Sequence, residues 1–266
     1  MLPAVVGLAS GTAAWIDASS RAPLDPAAQG PVIKLLVLNA WSQNPNPQAV
    51  LDTLTRESPD IAVIMECPPD LVTAATGGTG PFAAYPSRER RYPAEPRNAW
   101  ALVMSRWPMK LLDVPDAPWS KEENPFPVLT QVQTPAGPVA VVGMQASSPR
   151  SLDRWHAGNI TADRSVLAAR AAMTAGLPVI VAGDLNSAPT AGRDQIMRRG
   201  GLVRCKPATR LEGTYPVALP WPLQLAIDDA WVGPGVAVRS WRRLTQTGSD
   251  HAGIMIELVL PAAKPG

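Results

Sequence analysis

Pro178-Val179-Ile180-Val181-Ala182-Gly183-Asp184-Leu185-Asn186 is an unbroken apolar run that ends in a polar turn. The run has no alternation, so it reads as a strand covered on both faces. The same form recurs along the chain. Val37-Leu38 ends in Asn39, Ile64-Met65 ends in Glu66, and Gly248-Ser249 leads into Asp250-His251. Any one of these is ordinary turn chemistry, because Asn, Asp and Gly commonly end strands. Taken together they place amides, carboxylates and an imidazole at the ends of rigid elements, where a chemical site is built.

Outward from these ends, further apolar runs at Val32–Leu38, Ile61–Met65, Ala99–Met104, Val128–Val132, Val139–Val142, Leu225–Val232 and Gly253–Leu260 predict strands. Asn46 and Pro47 fit an N-cap and a first helical residue, with Val50, Leu51 and Leu54 on one face behind them. Thr161–Ala175 reads as the strongest helix, closed by Gly176. Strands outnumber helices and hairpin-like spacings are frequent. The pattern therefore predicts an α/β sandwich of mixed sheets flanked by helices, not a doubly wound parallel sheet.

The 266 residues are 46% hydrophobic and 17% charged, enough for one large domain with a short appendage. The domain is expected over residues 31–266. Ahead of it, Met1–Ile16 carries no charge, and the first basic residue is Arg21. That stretch is shorter than the roughly 20 apolar residues a spanning helix needs, and no basic region precedes it as in a secretory signal. It is read as a lead segment packed on the domain or as the remnant of a membrane anchor, followed by a Pro/Ala/Ser linker over Ser19–Gly30.

Scarce residues limit the chemistry further. Lys plus Arg is 24 against 22 acids, a net charge of +2, which argues against a protein that coats DNA. Two separated cysteines, Cys67 and Cys205, exclude a zinc finger or a disulfide framework. Two histidines, His156 and His251, cannot assemble a His-rich zinc site. A metal bound here would have mostly oxygen ligands, pointing to Mg²⁺, Mn²⁺ or Ca²⁺. Cys67 is expected as a buried filler, and His156 on the surface or the rim.

The ordered motifs resemble the endonuclease/exonuclease/phosphatase superfamily with its DNase I-like fold. They are Leu38-Asn39, the segment from Pro59-Asp60 to Glu66, Gly183-Asp184-Leu185-Asn186, Ala226-Ile227-Asp228 and Ser249-Asp250-His251. The resemblance covers about residues 32–260. It implies a phosphohydrolase dependent on Mg²⁺ or Mn²⁺, with Asn39, Glu66 and Asp250 at the metal. It further implies that Asp184 orients or deprotonates the attacking water and that Asn186 donates to the phosphate. Asp228 would orient His251, which contacts the phosphate or transfers a proton. Asp229 is the alternative holder of that role if the motif is shifted by one residue.

Two departures stand out. Gln145 replaces the histidine or tyrosine usual at the end of its strand, and Asp229 replaces an aromatic residue or a second histidine. Gln145 is expected to donate to a phosphate oxygen without a charge, and Trp41 to line the cleft. The segment Gly213-Thr214-Tyr215-Pro216, then Leu219-Pro220, resembles a bacterial membrane-linked branch. That likeness implies a cell-envelope or membrane-associated location, with a cytoplasmic one as the alternative. It also implies a phosphorylated small molecule or lipid pyrophosphate as substrate. A nuclease acting on nucleic acid and a catalytically impaired phosphate binder are the competing readings, and a monomer is expected.

Overall fold

The computed structural model describes residues 24–90, 99–113, 127–189, 191–245 and 247–261. Met1–Ile16 and the start of the linker lie outside them. From Leu24 the chain already touches the domain: Leu24 bridges to Val238, and the Asp25 N–H donates to the Val238 carbonyl at 2.8 Å.

Two six-stranded mixed sheets form the sandwich, as the strand-rich pattern predicts. In one sheet the order is β11 (Ala237–Leu244), β12 (Gly253–Val259), β1 (Val32–Asn39), β2 (Ile61–Cys67), β4 (Ala99–Ser105) and β3 (Ser87–Arg90). In the other it is β5 (Met109–Leu111), β6 (Val128–Thr134), β7 (Gly137–Gln145), β8 (Val179–Asp184), β10 (Asp228–Val232) and β9 (Val203–Arg204). Each sheet holds one parallel pair joined through a helix. α1 (Gln48–Glu57) connects β1 to β2, and α3 (Leu152–Thr174) connects β7 to β8. α2 (Pro69–Gly77) and α1 share one outer cluster with Phe82, and α4 (Gly192–Arg199) packs beside α3.

Alternation along the central strands sorts side chains into layers. Leu35 and Val37, Val63 and Met65, Val139 and Val141, and Ile180 and Ala182 point between the sheets into one core. Leu36, Leu38, Ala62 and Ile64 turn outward under α1 and α2, and Val142, Val179 and Val181 turn outward under α3. With both faces covered these strands show no polar alternation, which is why they read as plain apolar runs.

Several boundaries differ from the sequence reading. Asn46 does not cap α1 through its side chain; its carbonyl accepts from the Ala49 N–H at 3.2 Å, and Pro47 takes the cap position. α3 begins at Leu152, with the Ser151 hydroxyl accepting from the Arg154 N–H, well ahead of the expected Thr161. Its first turns are exposed and lack apolar periodicity, so they gave no helical signal. His156 therefore lies within the helix, on its exposed side. Cys67 is fully buried beside α2, as a filler.

Gly183 has φ +150°, and a Cβ there would stand 1.8 Å from the Met144 carbonyl oxygen on the neighbouring strand. Gly183→Ala is expected to destabilise the fold by more than about 4 kcal/mol or prevent folding. Gly192→Ala, which meets nothing within 4 Å, is expected to stay within about 1 kcal/mol of the parent. Denaturant melts of the two variants check the contrast.

Candidate active site

Strand direction gathers the polar residues at one end of the sandwich. β7 and β8 run parallel with Gln145 opposite Asp184, and antiparallel β10 sets Asp228 opposite Asp184. Gln145, Asp184 and Asp228 thus stand side by side across one sheet, on its inner face. In the other sheet β1 ends at Asn39, with Glu66 next to its partner Met65. β12 is antiparallel to β1, so the turn before it brings Asp250 and His251 to the same end.

Glu66 departs from the simple pleat. Alternation after Ala62 and Ile64 would turn it outward beneath the helices. Its backbone instead adopts φ +48°, and Cys67 takes the outward place. The Glu66 carboxylate is thereby received by the site: its Oε1 accepts from Asn39 Nδ2 at 3.1 Å and, at short range, from Gln145 Nε2. Trp41 (φ +57°) and Asn186 (φ +46°) share this left-handed conformation. It is uncommon outside glycine and concentrates at functional sites.

The central carboxylate is Asp184, which is 1% exposed. Its Oδ1 accepts from the Asn186 backbone N–H at 2.7 Å, and its Oδ2 accepts from Asn186 Nδ2 at 2.8 Å and Asn39 Nδ2 at 3.2 Å. Burial, followed by the charge of Asp228, pushes its pKa up to about 8, against the opposing pull of His251. His251 places Nδ1 2.8 Å from Asp228 Oδ2, with the Tyr215 ring 4.5 Å from its own. Burial works against the imidazolium, but the charge and hydrogen bond of Asp228 outweigh it, with help from Asp184 and Asp250. The result is a pKa raised to about 9, which favours the charged ring. The ligand atoms of Asp184, Asp228 and His251 all lie within 4.8 Å of one another.

The competing assignment to Asp229 finds a different role for that residue. Its carboxylate accepts from Arg204 Nε at 2.6 Å, the Lys206 N–H at 3.1 Å and Trp241 Nε1 at 3.2 Å, all buried. It is engaged by the scaffold, whereas Asp228 meets His251.

Two expected contacts look different in place. Asn39 turns its amide nitrogen toward Glu66 and Asp184, while its oxygen accepts from the Trp41 N–H at 2.9 Å. As placed it buttresses the acids through N–H donation rather than through its oxygen. Asn186 directs Nδ2 to Asp184 and to the Ala146 carbonyl, which engages both of its amide hydrogens. Glu66, Gln145, Asp184, Asn186, Asp250, His251 and Trp41 line one cleft of about 290 Å³. Asp250 is half-buried, and burial, together with Glu66, raises its pKa.

Arg150, Arg154, Ser147, Ser148 and Tyr215 also line the cleft, and sequence reasoning passed over them. The signal was present in the Ser147-Ser148-Pro149-Arg150 loop that follows Gln145-Ala146. Thr214 was missed as well; its hydroxyl accepts from the N–H groups of Ile227 and Asp228, both at 3.2 Å, and fixes the start of β10.

No curated protein matches the sequence. Solved structures share the fold at low identity. A Bacteroides vulgatus endonuclease/exonuclease/phosphatase is 16% identical with TM-score 0.65, covering 86% of this chain and 99% of that one. A Beutenbergia cavernae endonuclease/exonuclease/phosphatase is 18% identical with TM-score 0.59, covering 86% and 72%. The Neisseria 3′ phosphatase NExo, bound to a product DNA hairpin, is 17% identical with TM-score 0.61, covering 84% and 98%. The sequence model of the Endonuclease/Exonuclease/phosphatase family matches residues 36–251, which takes in every residue of the cleft named above, and the chain therefore belongs to that family of phosphoester hydrolases.

Proposed function

We propose that the protein is a divalent-metal-dependent phosphohydrolase that cleaves a phosphodiester or pyrophosphate bond with an activated water. The observation carrying this reading is the convergence of Glu66, Asp184, Asp250, Asp228 and His251 at one end of the sandwich, beside Arg150 and Arg154.

The donor set suits a hard cation, because Glu66 and Asp250 bring carboxylate oxygens to the same cleft. Asp184 and Asp250 are both shifted upward, first by burial and then by the charges of Asp228 and Glu66 respectively, and a divalent ion would offset this. Glu66 and Asp250 would hold it, with Asn39 and Gln145 fixing Glu66 through their amides. When bound, Mg²⁺ or Mn²⁺ would neutralise charge on the phosphoryl oxygens.

The remaining steps fall to the chain itself. Asp184 is held at both carboxylate oxygens by Asn186; in its ionised form, which a bound cation would favour against the raised pKa, it orients the attacking water and accepts its proton. His251, kept charged by Asp228, donates from Nε2 to a phosphoryl oxygen or the leaving oxygen. Arg150 and Arg154 take the outer phosphate oxygens. Gln145 gives one N–H to Glu66, and its Oε1 has no partner among the described residues; being a neutral amide, it contributes less to the phosphate than a charged histidine.

For the substrate, an apolar hollow of about 360 Å³ adjoins the cleft and shares Ser148, Asn186, Tyr215 and Ile227 with it. Pro149, Trp155, Ala188, Ala191 and Leu225 supply most of the rest of its wall, beside Ser187, Gly192 and the buried Arg193. Leu219, Trp221, Leu223 and Leu225 are exposed in the same loop region. A largely apolar hollow beside a phosphate site, whose one charged lining residue, Arg193, is buried and bonded to carbonyls, supports a phosphorylated substrate with an apolar arm, including a lipid pyrophosphate at a membrane surface. A nuclease is the second reading, supported by the DNA bound to the Neisseria relative. Among the described residues no helix is long and apolar enough to cross a membrane.

Hydrolysis should vanish in EDTA and return with Mg²⁺ or Mn²⁺, and Glu66→Gln should weaken metal affinity severely. Assays with bis-p-nitrophenyl phosphate, plasmid DNA and isoprenoid pyrophosphates would separate the substrate readings, and full activity in EDTA would defeat the metal-dependent one. Asp228→Asn is expected to lower turnover by about 10² or more with the fold intact. Asp229→Asn should act on stability instead, costing up to about 3–5 kcal/mol because it removes the nearer of the two carboxylates that face the buried Arg204 guanidinium. Thermal melts alongside kinetics check the pair, and the reverse ranking would transfer the histidine partner to Asp229.

A further inference from the structure

Arg193 is the second residue of α4, yet it is only 2% exposed. Its guanidinium is received largely by backbone carbonyls. Nη1 donates to the carbonyls of Ser147 at 2.8 Å, Leu185 at 2.9 Å and Asn186 at 3.2 Å. Nη2 donates to the Trp155 carbonyl at 3.3 Å, and Nε to Asn159 Oδ1 at 3.2 Å. These acceptors come from three segments: the loop after Gln145, the turn carrying Asn186, and the first turns of α3. Only a planar fork of donors meets acceptors so disposed, and a lysine ammonium offers a single centre.

Gly158 stands in the interior of α3, where glycine is among the poorest helix formers. A Cβ there would lie 2.1 Å from Nη2 of Arg193 and 2.2 Å from its Cζ. The guanidinium is tied on several sides and has no room to yield, so the missing side chain is the space it occupies. Next along α4, Asp194 lies 3.6 Å from Arg204, which in turn holds Asp229 beside Asp228. One turn of α4 thus braces the ends of both β8 and β10.

We infer that Arg193, seated in the gap left by Gly158, is a positioning residue that locks the Asn186 turn against the loop following Gln145. Its catalytic consequence rests on the phosphohydrolase reading, because Asn186 in turn holds Asp184 toward the water. The clamp itself is a statement about geometry and is open to test without turnover.

Hydrogen exchange of the full chain, followed by mass spectrometry, reads the clamp directly. In Gly158→Ala and in Arg193→Lys, amides in residues 145–148 and 184–187 are expected to exchange at least about tenfold faster, while β1 and β12 keep their protection. In the same variants kcat should fall by about 10–10² with KM changed far less, as for a misplaced group. Arg193→Ala, which empties the gap, should regain part of its kcat in millimolar guanidinium; Gly158→Ala, whose gap is filled, should not. Should Arg193→Ala fail to fold, the other two variants carry the test. Unchanged protection in both turns, equal loss across the whole sandwich, or equal rescue of the two variants would overturn the clamp. A parent protein that hydrolyses nothing would defeat the functional reading, and the exchange pattern would still decide the clamp.

Discussion

Three hydrogen bonds cross from one sheet to the other at the open end of the sandwich, and the rest of the site depends on them. Asn39 reaches Asp184, Gln145 reaches Glu66, and His251 reaches Asp228, the first two pairs joining strands of the two sheets and the third joining β10 to the turn that leads into β12. Deeper in, the sheets meet through apolar groups such as Val37, Val63, Val141 and Ile180, and through Trp241 Nε1, which donates to Asp229 Oδ1 at 3.2 Å. A buried polar group without a partner costs about 1–3 kcal/mol, so these residues satisfy one another or the end of the core fails. The network is therefore both the polar closure of the fold and the chemistry of the protein. Register does the assembling: one row across β7, β8 and β10 sets Gln145, Asp184 and Asp228 abreast.

Closing the sandwich this way demands unusual backbone. Trp41, Glu66 and Asn186 all take left-handed conformations at the cleft, each at a cost on the order of 1–3 kcal/mol. Glu66 carries the clearest consequence, because the left-handed residue moves its carboxylate from the helix-covered face to the inner one. The buried Arg193 fork and the Thr214 hydroxyl hold the adjoining turns. Precision at the cleft thus comes from neighbours with no reacting atom of their own.

Much of this was legible in the chain. Strands covered on both faces write themselves as apolar runs, and their polar ends mark Asn39, Glu66, Asp184 and His251. β11 was not visible, because Arg239, Arg242 and Arg243 break its apolar pattern on an outer strand. The early turns of α3 were hidden because a capping serine and a tertiary arginine hold them, not an apolar stripe. The choice between Asp228 and Asp229 lay beyond sequence, since adjacent strand residues differ only in which neighbours they meet. The direction of the Asn39 amide is likewise a property of the assembled network.

The most direct test is a double-mutant cycle on turnover, with Asp228→Asn, His251→Gln and their combination, each checked by thermal melt. If the two residues from opposite sheets act as one unit, the double variant should be about as slow as the slower single one. Penalties that multiply in the double variant would mean the residues act independently, and would contradict a site built on contacts between the sheets.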